Sequence, residues 1–378
     1  MRYFIKTFGC QMNFADSEKI AAVMEKKGYK PAAKIEEADV VIINSCSVRE
    51  SAENRVFGLI RNLKKFKNLK SEFKIVLTGC MVGSALGERR RYSLEELKRK
   101  LPEVDEFKTI QELIGEEKIE PKREDRFHAY ITIMEGCDHF CTYCVVPYAR
   151  GKEISRPLEE IVCEAEELAR RGYQHLTLLG QNVNSYGKDQ KNLKLKTKNS
   201  KLRLKIQKYK KKFKTPFALL LAILHDIPGI KKISFITSNP WDLTDDIIEA
   251  MNLPKIDKTL HLPVQSGDDE ILRKMNRPYT AKQYLELVKK IRQKIPEIKI
   301  TTDIIVGFPG ETKKAFENTV KLCQKVGFEK AYIARYSPRP GTAAYHLKDD
   351  VSPEEKKRRW QILENLINKK KINLTKNE

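Results

Sequence analysis

Apolar and polar positions follow two rhythms along this chain, and each change of rhythm marks an element. Residues 2–8 form a short β-rich run. Residues 16–27 carry a helical rhythm that stops at Gly28, a residue suited to ending a helix. Residues 39–44 (DVVIIN) are almost continuously apolar, as in a buried strand. Residues 50–69 read as a helix and 73–78 (FKIVLT) as a third strand. Such alternation predicts an α/β fold opening on a parallel sheet with helices on both faces.

The alternation resumes further on. Strands are expected at 128–134, 175–179, 231–236, 258–262, 299–306 and 328–334, and helices at 158–171, 216–226, 281–295 and 312–326. This is the pattern of a partial TIM-like β/α barrel, where chemistry sits at the C-terminal ends of strands. The expected division is an open parallel-sheet domain over 1–118, a barrel core over 124–350 and a basic helix within 351–378.

Composition narrows the class. The longest apolar run, 217–224, is far below the roughly 18 residues that span a bilayer. The opening MRYFIKTFGC has no long apolar segment of the signal-peptide kind, so a cytoplasmic protein with no membrane partner is expected. Lysine and arginine total 73 against 51 acids, a net charge of +22 that points to a polyanionic partner. Residues 188–214 alone hold 13 basic residues and one acid. That stretch reads either as a solvated loop or as a nucleic-acid arm. Leu202, Leu204 and Ile206 alternate with polar positions within it, which would suit a short β-ribbon.

Eight cysteines without an export signal favour metal or redox chemistry over disulfides. Cys10, Cys46 and Cys80 each follow one of the first three expected strands. The carboxyl ends of parallel strands share one edge, so three thiols distant in sequence should converge there. A shared metal or iron–sulfur site is preferred over three unrelated thiols. Cys137, Cys141 and Cys144 form C-x3-C-x2-C just after the strand at 128–134. A zinc ribbon would need a second C-x2-C pair and a ferredoxin a fourth nearby cysteine. Three thiolates on a four-iron cluster leave one iron open. It can take S-adenosylmethionine as a chelate, and an electron from the cluster then yields a 5′-deoxyadenosyl radical. Cys163 and Cys323 lie on expected helices and read as core thiols. Gly180 and Gln181 follow a strand, as do Gln265, Ser266 and the GFPGET turn at 307–312. That turn either lines a cofactor or is a plain tight turn; it lacks the lysine of a phosphate-binding loop. His261 reads as a structural residue.

The segments GCQMNFADSEK, NSCSVRESAENRVFGLI, CDHFCTYC, YCVVPYARGKEISRP and LLGQNVNSYG resemble those of the radical S-adenosylmethionine methylthiotransferases, over residue 2 to about residue 366. The detail is most like members acting on tRNA. The resemblance implies transfer of a methylthio group to C2 of N6-isopentenyl (dimethylallyl) adenosine at position 37, beside the anticodon. Two 4Fe-4S clusters are implied, an auxiliary one on Cys10, Cys46 and Cys80 and a radical one on Cys137, Cys141 and Cys144. Tyr143, Gly180, Gln181, Gln265 and Gly307 would contact S-adenosylmethionine. A monomer, a tRNA anticodon loop as partner and a flavodoxin- or ferredoxin-type electron donor are expected. Relatives end in an RNA-binding β-barrel that is not expected here, and the run at 188–214 is not a family feature. Alternatives within the family are threonylcarbamoyl-adenosine of tRNA and an aspartate of a ribosomal protein. An alternative of another class is a non-enzymatic iron–sulfur electron carrier.

Overall fold

The computed structural model describes residues 1–48, 50–70, 72–115, 119–189 and 199–369. The first body is a five-stranded, wholly parallel sheet of β1 (Arg2–Thr7), β2 (Lys30–Pro31), β3 (Val40–Ser45), β4 (Lys74–Gly79) and β5 (Glu106–Phe107). Its order is β2-β1-β3-β4-β5, with Ile5 opposite Ile42 and Ile42 opposite Val76. Strand β3 is central and buried throughout, which explains its unbroken apolar run. The helices Gln11–Lys26 and Glu50–Leu69 cover this sheet. The first begins five residues before the 16–27 rhythm suggested, because Cys10 is its N-cap. A seven-residue helix at Cys80–Leu86 follows β4 directly and had no rhythm to announce it.

The second body carries β6 (His128–Thr132), the antiparallel pair β7 (Met134–Glu135) and β8 (Ile154–Ser155), then β9 (His175–Leu179), β10 (Lys232–Phe235), β11 (Thr259–His261), β12 (Lys299–Val306) and β13 (Lys330–Arg335). Two parallel sheets, β10-β9-β6 and β11-β12-β13, form the partial barrel wall, joined by a bridge from Ile233 to Ile256. Side chains alternate strictly. Leu176, Leu178, Ile233, Phe235, Leu260, Ile300 and Ile304 face the outer helices in one continuous core. The opposite face carries His128, Tyr130, Thr177, Ser234, His261, Asp303 and Tyr332, so the inner wall is mostly polar.

Residues of the first body complete this inner face. Met12 and Ala15, one turn past Cys10, pack with Leu179, Tyr130 and Ile236. Thr132 lies against the Met12 sulfur at 3.7 Å.

Two expectations need correction. The described part of the basic run is a helix, Ser200–Lys210, not a ribbon. Leu202 and Ile206, four apart, are buried in the main core with Phe213, whereas Leu204 is 67% exposed. Lys205 pairs with Glu166 at 2.9 Å, and Lys208 and Tyr209 bond Asp226 at 2.8 and 2.6 Å. Those acids lie near the C-termini of the outer helices Leu158–Arg170 and Pro216–His225. The helix thus lies across the barrel's outside, toward the end remote from the strand carboxyl ends. Cys163 is exposed, because Leu158, Ile161, Val162, Ala165 and Leu168 form the inward stripe of its helix. Cys323 is buried, as expected.

The helix Pro353–Leu363, continued by a π-helical segment to Lys369, packs beside β13 and clamps the turn after β12. Arg359 pairs with buried Glu311 at 2.7 Å, and Glu311 accepts the Gly307 N–H at 2.6 Å. A Cβ on Gly307 would lie 2.3 Å from Lys356 Cγ, and its φ is +70°. This glycine serves a close approach between turn and helix.

Candidate active site

The first three thiols stand at strand ends. Cys10 caps the helix after β1, Cys46 follows β3, and Cys80 opens the helix after β4. Asn13 and Asn44 stitch the first two loops: Asn13 Nδ2 donates to Asn44 Oδ1 at 2.9 Å, and Asn44 Nδ2 donates to the Asn13 carbonyl at 2.8 Å. Gly9 lies against Cys46; a Cβ there would sit 3.1 Å from Cys46 Cβ and 2.5 Å from Asn13 Oδ1. Cys10 stands at the rim, yet desolvation raises its thiol, and neighbouring Cys80 adds to the effect. Arg150, from the second body, acts in the opposite direction on Cys10.

The second triad occupies the loop between β7 and the short helix Val146–Ala149. The loop is held from several sides. Gln181 Oε1 accepts the Gly136 N–H at 2.5 Å, and Thr142 N–H donates to the Met275 carbonyl at 3.1 Å. Asn276 Nδ2 donates to the carbonyls of His139 and Phe140 at 3.2 and 3.1 Å. Phe140 takes φ +45°, a strained conformation for a bulky residue. Burial raises the thiols of Cys137 and Cys144. Thiols that desolvation keeps protonated, at Cys10, Cys137 and Cys144, suit cationic iron better than free thiolate. Among the described residues no three histidine, cysteine, aspartate or glutamate side chains converge on a single-ion position. A four-iron cluster asks for something different, one thiolate on each of three irons.

Other predicted residues take varied places. Gly180 packs on Met134, whose Cγ would be 2.5 Å from an added Cβ. Gln181 holds the cysteine loop. Tyr143 packs in a satellite cluster with Ile271, Phe308 and Tyr336. Gln265, with φ +65°, is buried and its Oε1 has no hydrogen-bond partner. Asn182 Oδ1, also buried, is likewise unpartnered. Orphaned acceptors at the strand carboxyl ends are where a polar ligand is owed, and these two oxygens suit the donor groups of a cofactor. His261 bonds Thr301 at 2.9 Å and Asp303 at 3.1 Å on the inner wall.

Sequence reasoning missed the arginines and one histidine network. His139, inside the loop, meets Asp242 Oδ2 at 3.1 Å, and Asn182 Nδ2 donates to the same oxygen at 2.7 Å. Lys188 pairs with Asp242 Oδ1. Burial would raise Asp242, but hydrogen bonds from His139, Lys188 and Asn182 outweigh it and hold the carboxyl at about 2. Arg91 donates to Ser47 Oγ at 2.5 Å and to Ser84 Oγ at 3.2 Å. Arg339 pairs with Glu53 at 2.7 Å and donates to the Ser47 carbonyl at 2.5 Å. No local pattern signals such residues, since apart from Ser84, seven residues before Arg91, their partners lie far away in sequence.

The two bodies meet between the triads. The helix Cys80–Leu86 packs on Val146–Ala149, and a Cβ on Gly83 would fall 2.2 Å from the Ala149 carbonyl oxygen. Cys80 thus begins one of two helices in contact, and Cys144 stands two residues before the other.

Residues 131–323 match the Radical SAM superfamily, and residues 2–107 match Uncharacterized protein family UPF0004. A tRNA-2-methylthio-N(6)-dimethylallyladenosine synthase of Carboxydothermus hydrogenoformans is 45% identical over 100% of this chain and 85% of the relative. One of Thermotoga petrophila is 43% identical over 100% of this chain and 84% of the relative. The solved radical S-adenosylmethionine methyltransferase of Kitasatospora setae shares the fold, with a TM-score of 0.55 at 13% identity over 91% of this chain and 77% of that one. The chain therefore belongs to the Radical SAM superfamily and, within it, to the family of the tRNA-2-methylthio-N(6)-dimethylallyladenosine synthases.

Proposed function

We propose that this chain is a tRNA-modifying methylthiotransferase that places a methylthio group on C2 of N6-dimethylallyladenosine at position 37, beside the anticodon. The observation that carries the reading is the pair of three-cysteine groups, one at three strand ends and one in a single loop, whose flanking helices meet at the Gly83–Ala149 contact, in a chain alike over its whole length to named synthases. Cys137, Cys141 and Cys144 would hold the radical cluster, and Cys10, Cys46 and Cys80 the auxiliary one. When bound, the first supplies the electron that cleaves S-adenosylmethionine and the second supplies sulfur.

The chain's own residues do the rest. Gln181 and Asn276 fix the radical loop in position. Met12 packed on Leu179 lays an apolar patch beside the adjoining inner wall. Gln265 and Asn182 offer unpartnered acceptors to the amino groups of the cofactor. Tyr332, 44% exposed on the inner wall, offers a ring on which a base can stack. An anticodon-loop base is already unpaired, so taking it out of its stack costs little. Excess positive charge suits an RNA backbone. The domain division at 1–118 and 124–350, a monomeric cytoplasmic enzyme and a flavodoxin- or ferredoxin-type donor belong to the same proposal. Among the described residues no helix is long and apolar enough to cross a membrane.

Nucleoside analysis of tRNA from cells with and without the gene tests the reading. The methylthiolated dimethylallyladenosine should vanish and its unthiolated precursor accumulate. Loss of methylthiolated threonylcarbamoyl-adenosine instead would move the reading to that sister substrate.

A further inference from the structure

Taken as whole residues, the most buried basic residues among those described are Arg277, Arg339, Lys356 and Arg359, each under a tenth exposed. Three have carboxylate partners. Arg339 pairs with Glu53 at 2.7 Å, Lys356 with Asp349 at 2.6 Å and Arg359 with Glu311 at 2.7 Å. Arg277, only 6% exposed, has none among the described residues. Its guanidinium reaches four neutral acceptors instead: the Pro263 carbonyl at 2.7 Å, Tyr279 Oη at 3.3 Å, Asn239 Oδ1 at 3.4 Å and Cys141 Sγ at 3.6 Å. It also lies 4.6 Å from the Trp241 ring centroid and 5.5 Å from that of Tyr279, two rings stacked on each other. Aromatic faces help a buried cation but do not neutralise it. A buried, uncompensated charge is strongly disfavoured, so the fold owes Arg277 an anion.

The geometry points to Arg277 as the fixed counter-charge of the central cysteine triad, placed to hold the anionic site and to ease its one-electron reduction. This rests on the assignment of the radical cluster to Cys137, Cys141 and Cys144. Three thiolates on a four-iron core of charge 2+ make a site of net charge −1, and one added electron makes it −2. No proton moves and no bond forms or breaks in that step; the electron comes from a low-potential one-electron donor. A fixed cation near one of the thiolates favours the more negative form. Arg277 is therefore a positioning and tuning residue, and its guanidinium is pre-set by Asn239, Tyr279 and Trp241.

The test is an EPR-monitored dithionite titration of the reconstituted full chain, wild type against Arg277→Gln and Arg277→Lys. At a fixed donor potential, the reduced-to-oxidised ratio of the central cluster should fall about tenfold or more in Arg277→Gln, which is 59 mV for a one-electron couple. The auxiliary cluster is the internal control and should not move. Arg277→Lys keeps the charge and should recover most of the shift. An Arg277→Gln protein that holds both clusters with an unchanged central ratio overturns the proposal. If Arg277→Gln loses the central irons and Arg277→Lys keeps them, the counter-charge role stands; if both lose them equally, it falls. A wild-type chain that takes up only one cluster would instead remove the two-cluster reading.

Discussion

Arg150 donates from Nη2 to Asp16 Oδ2 at 2.7 Å, and both side chains are almost wholly buried. Arg150 lies six residues past Cys144, and Asp16 six past Cys10. One ion pair thus ties the helix that starts at the first triad to the segment that ends the second. Removing one partner leaves an uncompensated buried charge, which costs about 3–5 kcal/mol. Asp16→Ala should therefore lower the midpoint of thermal unfolding markedly. An unfolding midpoint equal to wild type would show that the pair is not a structural tie.

The two triads should separate by chemistry. After anaerobic reconstitution the chain should bind about eight irons, falling to about four when Cys137, Cys141 and Cys144 are all replaced by alanine. That variant should cleave no S-adenosylmethionine. Replacing Cys46 alone should spare 5′-deoxyadenosine formation and abolish the methylthio product. Full methylthiolation by Cys46→Ala would end the two-station scheme.

What was legible in the sequence had a local cause. The buried strand β3 and the helix Glu50–Leu69 show in the apolar rhythm because burial selects their side chains directly. The cysteines were legible as a spacing followed by a strand end. The basic helix was misread because Leu202 and Ile206 satisfy both a two-residue and a four-residue period, and only Leu204, exposed in the structure, distinguishes them. Arg91, Arg150 and Arg277 were not legible at all. Arg150 meets Asp16 across 134 positions, and such a pairing exists only once the chain has folded.

The basic helix is held as structure. Leu202, Ile206 and Phe213 are buried in the main core. Leu202→Ala should cost about 2–5 kcal/mol, as for other large-to-small core changes. Reversing charge at exposed Lys201 and Lys210, on the same helix, should leave product formation unchanged, since the helix lies on the barrel's outside. Chemical denaturation and a product assay check the two halves separately. A loss of tRNA binding in the charge-reversed protein would reassign the helix as an RNA contact.

Acid should open the His139–Asp242 network within a defined window. The Asp242 carboxyl is held at about 2 against an ordinary 3.8. A depressed carboxyl contributes stability that is complete above its ordinary value and lost as pH falls through the lowered one. The contribution should therefore fade between about pH 4 and pH 2. Trp241, edge-on to His139 with centroids 4.8 Å apart, is the reporter, and Trp360→Phe leaves it the sole tryptophan. In that background Asp242→Asn should lack the fluorescence change in this window. An identical transition in both proteins would place its origin elsewhere.

Gly83 sets how closely the two cysteine stations approach. Its Cα faces the Ala149 backbone, and the 2.2 Å that an added Cβ would leave to the Ala149 carbonyl oxygen is far inside van der Waals contact. The obstacle is main chain, so no side-chain rotation relieves it. Gly83→Ala must therefore shift the helix Cys80–Leu86 away from Val146–Ala149, and Cys80 moves with it. The central loop is held independently by Gln181 and Asn276. S-adenosylmethionine cleavage should accordingly persist, while transfer of sulfur to the base, which needs both stations at fixed separation, should drop at least about tenfold for a displacement near 1 Å. The measurement is the ratio of methylthio product to 5′-deoxyadenosine in one reduced assay. A ratio equal to wild type, with both clusters present, would show that the two stations tolerate a change in spacing and that the close contact serves folding alone.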